Sequence, residues 1–219
     1  NTIVVFTTDN GAEAISFPDG GVTPFKGQKG EAWEGGYRSP MVIRWPGVIS
    51  PGTINNDIFA HEDMLPTSLA AAGVPDVKEQ LVKGMQVGGT TFKVHLDGYN
   101  ITDALSGRVS SPRHEFFYFN DDGSLVGLRY DQWKVVFAEQ RAHGFDVWQE
   151  SFSPLRVPKI FNIRTDPFEE AEHSWDNWKW RADRLFLLVP AQEYVGQFLY
   201  SFKEFPPSQK VGSFSLDDV

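Results

Sequence analysis

The stretch Thr2-Ile3-Val4-Val5-Phe6-Thr7 is an apolar run without polar alternation, and it closes abruptly on Thr8-Asp9-Asn10-Gly11. A β-branched run of this kind predicts a strand covered on both faces, as in the middle of a parallel sheet. Met41-Val42-Ile43-Arg44-Trp45 predicts a second strand, stopped by Pro46-Gly47. Between them, residues 12–40 carry the turn markers Pro18-Asp19-Gly20-Gly21 and Thr23-Pro24 and predict a long loop, a kind of segment that in compact domains is usually functional. Asp63 to Gly73 predicts a helix, with Asp63 as N-cap, Pro66 in the first turn and Gly73 as the stop. Residues 74–112 predict loop with short pieces, a partly alternating stretch from Thr91 to Leu96 and a short helix from Asn100 to Leu105.

After Pro112 the pattern changes. Glu115 to Phe119, Leu125 to Tyr130 and Trp133 to Ala138 are strand-like runs joined by short connectors, which predicts an antiparallel meander. Lys159 to Ile163 predicts a fourth strand. Two helices follow. The first carries Trp175, Trp178, Ala182, Leu185, Phe186 and Val189 on one face, and its aromatic residues read as core rather than as a sugar-stacking surface. The second has Val195, Phe198, Leu199 and Phe202 at helical spacing, with Pro190 in its first turn and Pro206-Pro207 barring continuation. The tail from Ser208 to Val219 is polar and predicts a surface wrap.

Composition narrows the function classes. The chain has 219 residues, 41% hydrophobic and 22% charged, enough to bury a core. Its net charge of −9, with no basic run, argues against a nucleic-acid surface. No stretch reaches the ~18 apolar residues of a spanning helix. Cys is absent, which removes disulfides, thiolate metal sites and a cysteine nucleophile from these residues. A strand of the central type at residues 3–7 needs parallel neighbours joined by crossovers, and the residues that follow do not supply enough of them. The expectation is therefore the back part of a longer polypeptide.

The candidate chemistry lies in the first forty residues. Parallel sheets place their sites just past the carboxyl ends of strands. Asp9 and Asn10 fall there and offer two hard oxygen ligands suited to Ca²⁺ or Mg²⁺. The competing reading of Asn10-Gly11 is a β-turn. Further on, Gly27 and Gly30 let the backbone close around an anion, and Lys26 and Lys29 bring point charges to it. The order of a phosphate-cradling P-loop is missing. His61-Glu62-Asp63 reads as the start of a helix rather than a metal cluster, and Asp121-Asp122-Gly123 as a turn rather than a calcium loop.

Taken together, Val4 to Gly11, Lys29 to Pro40 and Ile43 to Gly47 strongly resemble the arylsulfatase family of the alkaline-phosphatase-like superfamily. Leu65-Pro66-Thr67, Ala71 to Pro75, Lys93 to Asn100, Pro158 to Glu169 and Phe205-Pro206-Pro207 extend the resemblance over nearly the whole chain. It implies an α/β fold: residues 1–112 the C-terminal part of the mixed-sheet catalytic domain, residues 113–219 a small subdomain of antiparallel sheet and helices. It implies hydrolysis of a sulfate ester to an alcohol or phenol plus sulfate. Asp9 and Asn10 become ligands of the active-site Ca²⁺, with Mg²⁺ the alternative. Lys29 matches the lysine that touches the sulfate, and Lys26 is the fallback if the loop register differs.

The resemblance also marks what is absent. Sulfatases take their nucleophile, a formylglycine, from a Cys or Ser in a Cys/Ser-x-Pro-x-Arg motif, and these residues contain none. Phe152 to Arg156 and Ser110 to His114 come nearest and read as turns. The formylglycine and the paired acidic ligands and histidines are expected upstream, so the missing N-terminal part of the fold becomes the expected partner, and these residues alone are expected to be inactive. Relatives of this kind are commonly periplasmic or secreted. Two alternatives stand beside this reading: a phosphatase or phosphonate-ester hydrolase of the same superfamily, and a non-catalytic binding or assembly module.

Overall fold

The computed structural model describes residues 2–207, so the expectation for the tail from Ser208 lies outside the described residues. The fold is α/β, and the chain divides into two compact units: residues 1–7 with 41–114, and residues 8–40 with 115–219.

In the first unit, β1 (Val4–Thr7) pairs antiparallel with β2 (Met41–Arg44), Val4 opposite Arg44 and Thr7 opposite Met41. The expected parallel neighbours and double cover are not found among the described residues. Phe6 is 72% exposed and Val42 66%. The apolar run is thus a strand, and among the described residues it pairs in a two-stranded sheet with β2.

The helix expected from Asp63 is α2 (Met64–Ala71). It ends as Gly73 requires. Val74 N–H donates to the Leu69 carbonyl and Gly73 N–H to that of Ala70, the paired bonds of a Schellman stop, with Gly73 at φ +97°. Asp63 occupies the N-cap position of α2, but its side chain makes no cap bond to that helix. Its fully buried carboxylate accepts the N–H groups of Ala60 (2.8 Å) and Tyr99 (2.7 Å), and Arg113 forks onto both its oxygens at 2.6 and 2.9 Å. Arg113 also reaches Glu62 at 2.7 Å. The Ser110–His114 stretch is therefore the tether that ties this unit's last residues to the start of α2. Thr67 adds a second tie, accepting the N–H of Ile101. Around this centre lie α3 (Val77–Lys83), which the sequence pattern did not reveal, the hairpin β3 (Met85–Val87) and β4 (Thr90–Phe92), and α4 (Thr102–Leu105).

The second unit is built on the meander. The strands β5 (Glu115–Phe119), β6 (Leu125–Tyr130), β7 (Trp133–Glu139) and β8 (Ser153–Asn162) lie in that order, all antiparallel. Asp131, at φ +48°, and Gln132 make the tight connection between β6 and β7. The Ser153-Pro154-Leu155-Arg156 stretch, read as a turn, is the start of β8, extended and paired to Glu139 and Ala138. Alternation sends even-numbered residues of β5 to one face and odd-numbered ones to the other. Tyr118 and Phe116 meet Tyr37 edge-on, at 4.8 and 5.9 Å between centroids, on the face covered by the loop of residues 8–40. Phe117 stacks on Phe198 at 3.8 Å on the face covered by α6 (Leu188–Ser201).

The first C-terminal helix is shorter than expected. α5 spans Asn177–Ala182, and residues 185–187 form a separate 3₁₀ turn. The break at Asp183-Arg184 scatters the anticipated stripe. Trp175 is 98% exposed, and Trp178, Phe186 and Val189 are also exposed, so these are not core residues here. The second helix keeps its expected face, with Phe198 against both Phe117 and Phe202.

Asp63→Asn removes the fully buried carboxylate that faces Arg113 and leaves the guanidinium the half-exposed Glu62 as counter-charge. That substitution should cost about 3–5 kcal/mol, read as a lowered melting temperature, and adding Arg113→Met should recover a large part of it.

Candidate functional site

All three residues expected to carry chemistry fall in the second unit. Its glycines explain how they are held. Gly11 N–H donates to the Gly36 carbonyl at 2.8 Å, and Lys29 N–H to the Ala12 carbonyl at 3.0 Å. A Cβ on Gly11 would lie 1.8 Å from the Gly35 carbonyl oxygen. Gly35 and Gly36 are equally hemmed in by the carbonyls of Lys26, Gly27, Gln28 and Glu31. Gly11 is therefore needed for backbone-to-backbone approach, and the Asn10-Gly11 pair is not the corner of a hairpin. The segment bearing Asp9 and Asn10 is clamped beside the turn bearing Lys29.

Asp9 is exposed, and its carboxylate has no partner among the described residues. The Asn10 amide donates its N–H to the Gly11 carbonyl at 2.7 Å, which keeps its own oxygen available as an acceptor. A bare carboxylate and an amide oxygen on adjacent residues suit a hard divalent cation. Among the described residues no three His, Asp or Glu side chains gather into a metal cluster.

The two lysines separate clearly. Lys26 is ion-paired with Glu172 and lies 3.8 Å over the Trp33 ring. Glu172 is shared with Lys159 at 2.5 Å, which also binds Glu139 at 2.6 Å. Burial opposes the Glu172 charge, but these two ammonium groups outweigh it and hold its carboxyl below the ordinary value. Lys26 is thus committed to structure. Lys29 makes no ion pair among the described residues, and its ammonium lies 5.3 Å from the Trp148 ring centroid.

What fixes the loop carrying Lys29 is a buried charge cluster that the sequence reading missed. Glu34 opens the short helix α1 (Glu34–Tyr37). Its carboxylate accepts the Tyr118 hydroxyl proton at 2.7 Å and pairs with Lys134 at 3.2 Å and Arg129 at 3.3 Å. Glu169 accepts the Glu34 N–H at 2.8 Å, and its other oxygen lies 2.8 Å from the Lys134 ammonium, off the line of a hydrogen bond. Glu169 sits at φ +55°, rare for a residue with a side chain. Lys134, Glu34 and Glu169 are each at most 2% exposed.

Burial pushes the Glu34 carboxyl up, but Lys134, Arg129 and the Tyr118 hydrogen bond together bring it below its ordinary 4.5. For Glu169 burial prevails over Lys134, and its carboxyl is raised. The one available signal was Lys134 itself, a charge inside an apolar strand, which globular chains bury only when paired.

The backbone bonds from Gly11 to Gly36 and from Lys29 to Ala12 thus tie the segment bearing a carboxylate and an amide oxygen to the one bearing an ammonium with no carboxylate partner among the described residues. The comparisons supply the family. A family model described as Sulfatase matches residues 1–74. An arylsulfatase from Hemicentrotus pulcherrimus is 34% identical over 149 residues, 67% of this chain and 24% of the relative. The N-acetylgalactosamine-6-sulfatase of Homo sapiens is 37% identical over 158 residues, 71% of this chain and 26% of the relative. A crystal structure of the PsFucS1 sulfatase from Pseudoalteromonas sp. superposes with a TM-score of 0.73 at 26% identity, covering 95% of this chain and 39% of that one. This chain belongs to the sulfatase family. It spans about a quarter of the length of these curated relatives.

The folded pKa of Glu34 lies below its unfolded value, so its contribution is complete above pH 4.5 and is lost as the pH falls through the folded value. Glu34→Gln should therefore cost about 3–5 kcal/mol at pH 7. The gap to the unaltered chain should close as the pH falls well below 4.5, measured by urea unfolding across the acid range.

Proposed function

We propose that the protein containing these residues hydrolyses sulfate esters to an alcohol or phenol plus sulfate. In this reading residues 1–112 belong to the large α/β catalytic domain and residues 113–219 to the smaller subdomain. Asp9 and Asn10 hold the active-site Ca²⁺, Lys29 touches the sulfate, and the formylglycine nucleophile comes from outside these residues. The single observation that carries the reading is the contrast between the two lysines. Lys26 is paired on a carboxylate, whereas Lys29 has none among the described residues and sits on the segment clamped to the Asp9-Asn10 backbone.

The chemistry fits the donors. Negative charge moves toward the ester oxygen as the sulfur–oxygen bond breaks. Bound at Asp9 and Asn10, a divalent cation would supply a Lewis acid that lowers the cost of that charge. The Lys29 ammonium, kept from pairing with any carboxylate of its own unit, is free to pair with a sulfate oxygen. Its backbone is fixed through Ala12, so it need not reorganise when charge develops. These residues hold no precursor of the formylglycine: there is no cysteine, and no Ser stands in the modification motif.

The test uses the longer polypeptide. Lys29→Ala should lower kcat/KM for a sulfate ester by roughly 10²–10³, the loss seen when one oxyanion donor is removed. Ca²⁺ should raise the melting temperature by mass action, and Asp9→Ala should weaken that rise. The 219-residue chain alone should show no turnover. A phosphate ester hydrolysed in preference to a sulfate ester would assign the protein to the phosphatase branch instead.

A further inference from the structure

Lys29 has one neighbour that the proposed function leaves unused. The segment between β7 and β8 folds back so that Val147 meets Gly30, where a Cβ would lie 3.3 Å from the Val147 side chain. The next residue, Trp148, sits beside the Lys29 ammonium, yet 51% of it is exposed. This is not a loose loop. Gln140, only 4% exposed, donates to the Glu150 carbonyl at 2.6 Å and the Val147 carbonyl at 3.4 Å and accepts the Ala142 N–H at 2.9 Å. A buried amide thus holds a large aromatic ring half in water next to an unpaired cation. The other exposed tryptophans, Trp175 and Trp178, lack such a neighbour: Trp178 faces Arg181, whose guanidinium binds the Pro158 carbonyl at 2.9 Å.

We propose that Trp148 is the surface on which a ring in the alcohol part of the substrate rests. This rests on the reading of Lys29 as the sulfate-touching residue. In a sulfate ester one oxygen separates sulfur from the first carbon of the alcohol. A sulfate on Lys29 therefore brings that carbon toward the indole, and a sugar or phenol ring bonded there can lie against its exposed surface. Aromatic rings gain from such stacking beyond the area they cover, and sugar rings present C–H groups to the same π surface. The ammonium holds the indole in place beforehand through its attraction to the ring, so little freedom is lost when the substrate arrives.

The experiment compares the unaltered longer polypeptide with Trp148→Ala, Trp148→Phe and Lys29→Ala. It uses 4-nitrophenyl sulfate and a hexose sulfate as ring-bearing esters and inorganic sulfate as a ring-free competitive inhibitor. Trp148→Ala should raise KM for at least one ester about tenfold with kcat nearly unchanged, a loss within the range of an aromatic contact. Trp148→Phe should retain most of the affinity, and inhibition by inorganic sulfate should not change. The ester that loses more identifies the ring as phenol or sugar. Unchanged KM for both esters, or equal weakening of inorganic sulfate, overturns the proposal. Should the alanine variant not fold, Trp148→Leu, apolar but ringless, carries the same comparison. If Lys29→Ala leaves turnover and sulfate inhibition intact, the functional reading falls as well. If it weakens both while Trp148→Ala does nothing, only the role of Trp148 falls.

Discussion

Arg129 and Lys134 stand directly opposite each other on adjacent strands of the meander. Two like charges in that position repel, and one of them is wholly buried. The sheet is tenable only because a carboxylate from elsewhere in the chain comes to lie between them, and Glu34 is that carboxylate. The interaction works in both directions. The strands gain the anion they need, and the anion brings its loop. With Glu34 come Trp33, edge-on to Phe161 at 5.9 Å, and Tyr37, which donates its hydroxyl proton to the Phe119 carbonyl. Glu169 completes the cluster by accepting the Glu34 backbone N–H. Four segments distant in sequence thereby share one buried electrostatic centre. Such a centre contributes less to net stability than an apolar one of the same size, because desolvation consumes most of the attraction. What it does fix is the register of the loop on the sheet.

That register matters because, in the proposed function, the chemistry falls to residues with few contacts of their own. Asp9 and Lys29 are partly or wholly exposed and lack carboxylate or ammonium partners in their own unit. Their positions are inherited, Lys29 from a loop bolted down at Glu34 five residues later, Asp9 and Asn10 from the glycine contacts that join this loop to the preceding segment. Rigid support beneath bare functional groups is what a site needs if it is to act on charge without first rearranging.

Much of the second unit was legible in the sequence. Short connectors gave the meander of β5, β6 and β7, the run from Lys159 to Ile163 marked the end of β8 but not its start or its neighbour, and helical spacing gave the face of α6. The stop at Gly73 followed from glycine's tolerance of positive φ. Other features were opaque for physical reasons. The apolar run at β1 pointed to burial, but burial depends on what covers a strand, and hydrophobicity says nothing of that. The stripe from Trp175 to Val189 assumed one continuous helix, and a break at Asp183-Arg184 removes the periodicity on which the inference stood. Asp63 has the chemistry of a cap but is taken over by an arginine fifty residues away. Of the candidate site, Asp9, Asn10 and Lys29 were suggested by residue type and a family resemblance. The supporting cluster was not, because Glu34, Lys134 and Glu169 meet only after the chain has folded.

The glycine clamp has a further consequence. The bonds from Gly11 to Gly36 and from Lys29 to Ala12 tie off both ends of the excursion at residues 13–25. Lengthening a closed loop adds only a slowly growing entropic cost. Insertions or deletions there can accordingly reshape the excursion while the backbone beneath Asp9, Asn10 and Lys29 stays where it is; under the proposed function, that makes it the natural place for related chains to diverge in what they admit.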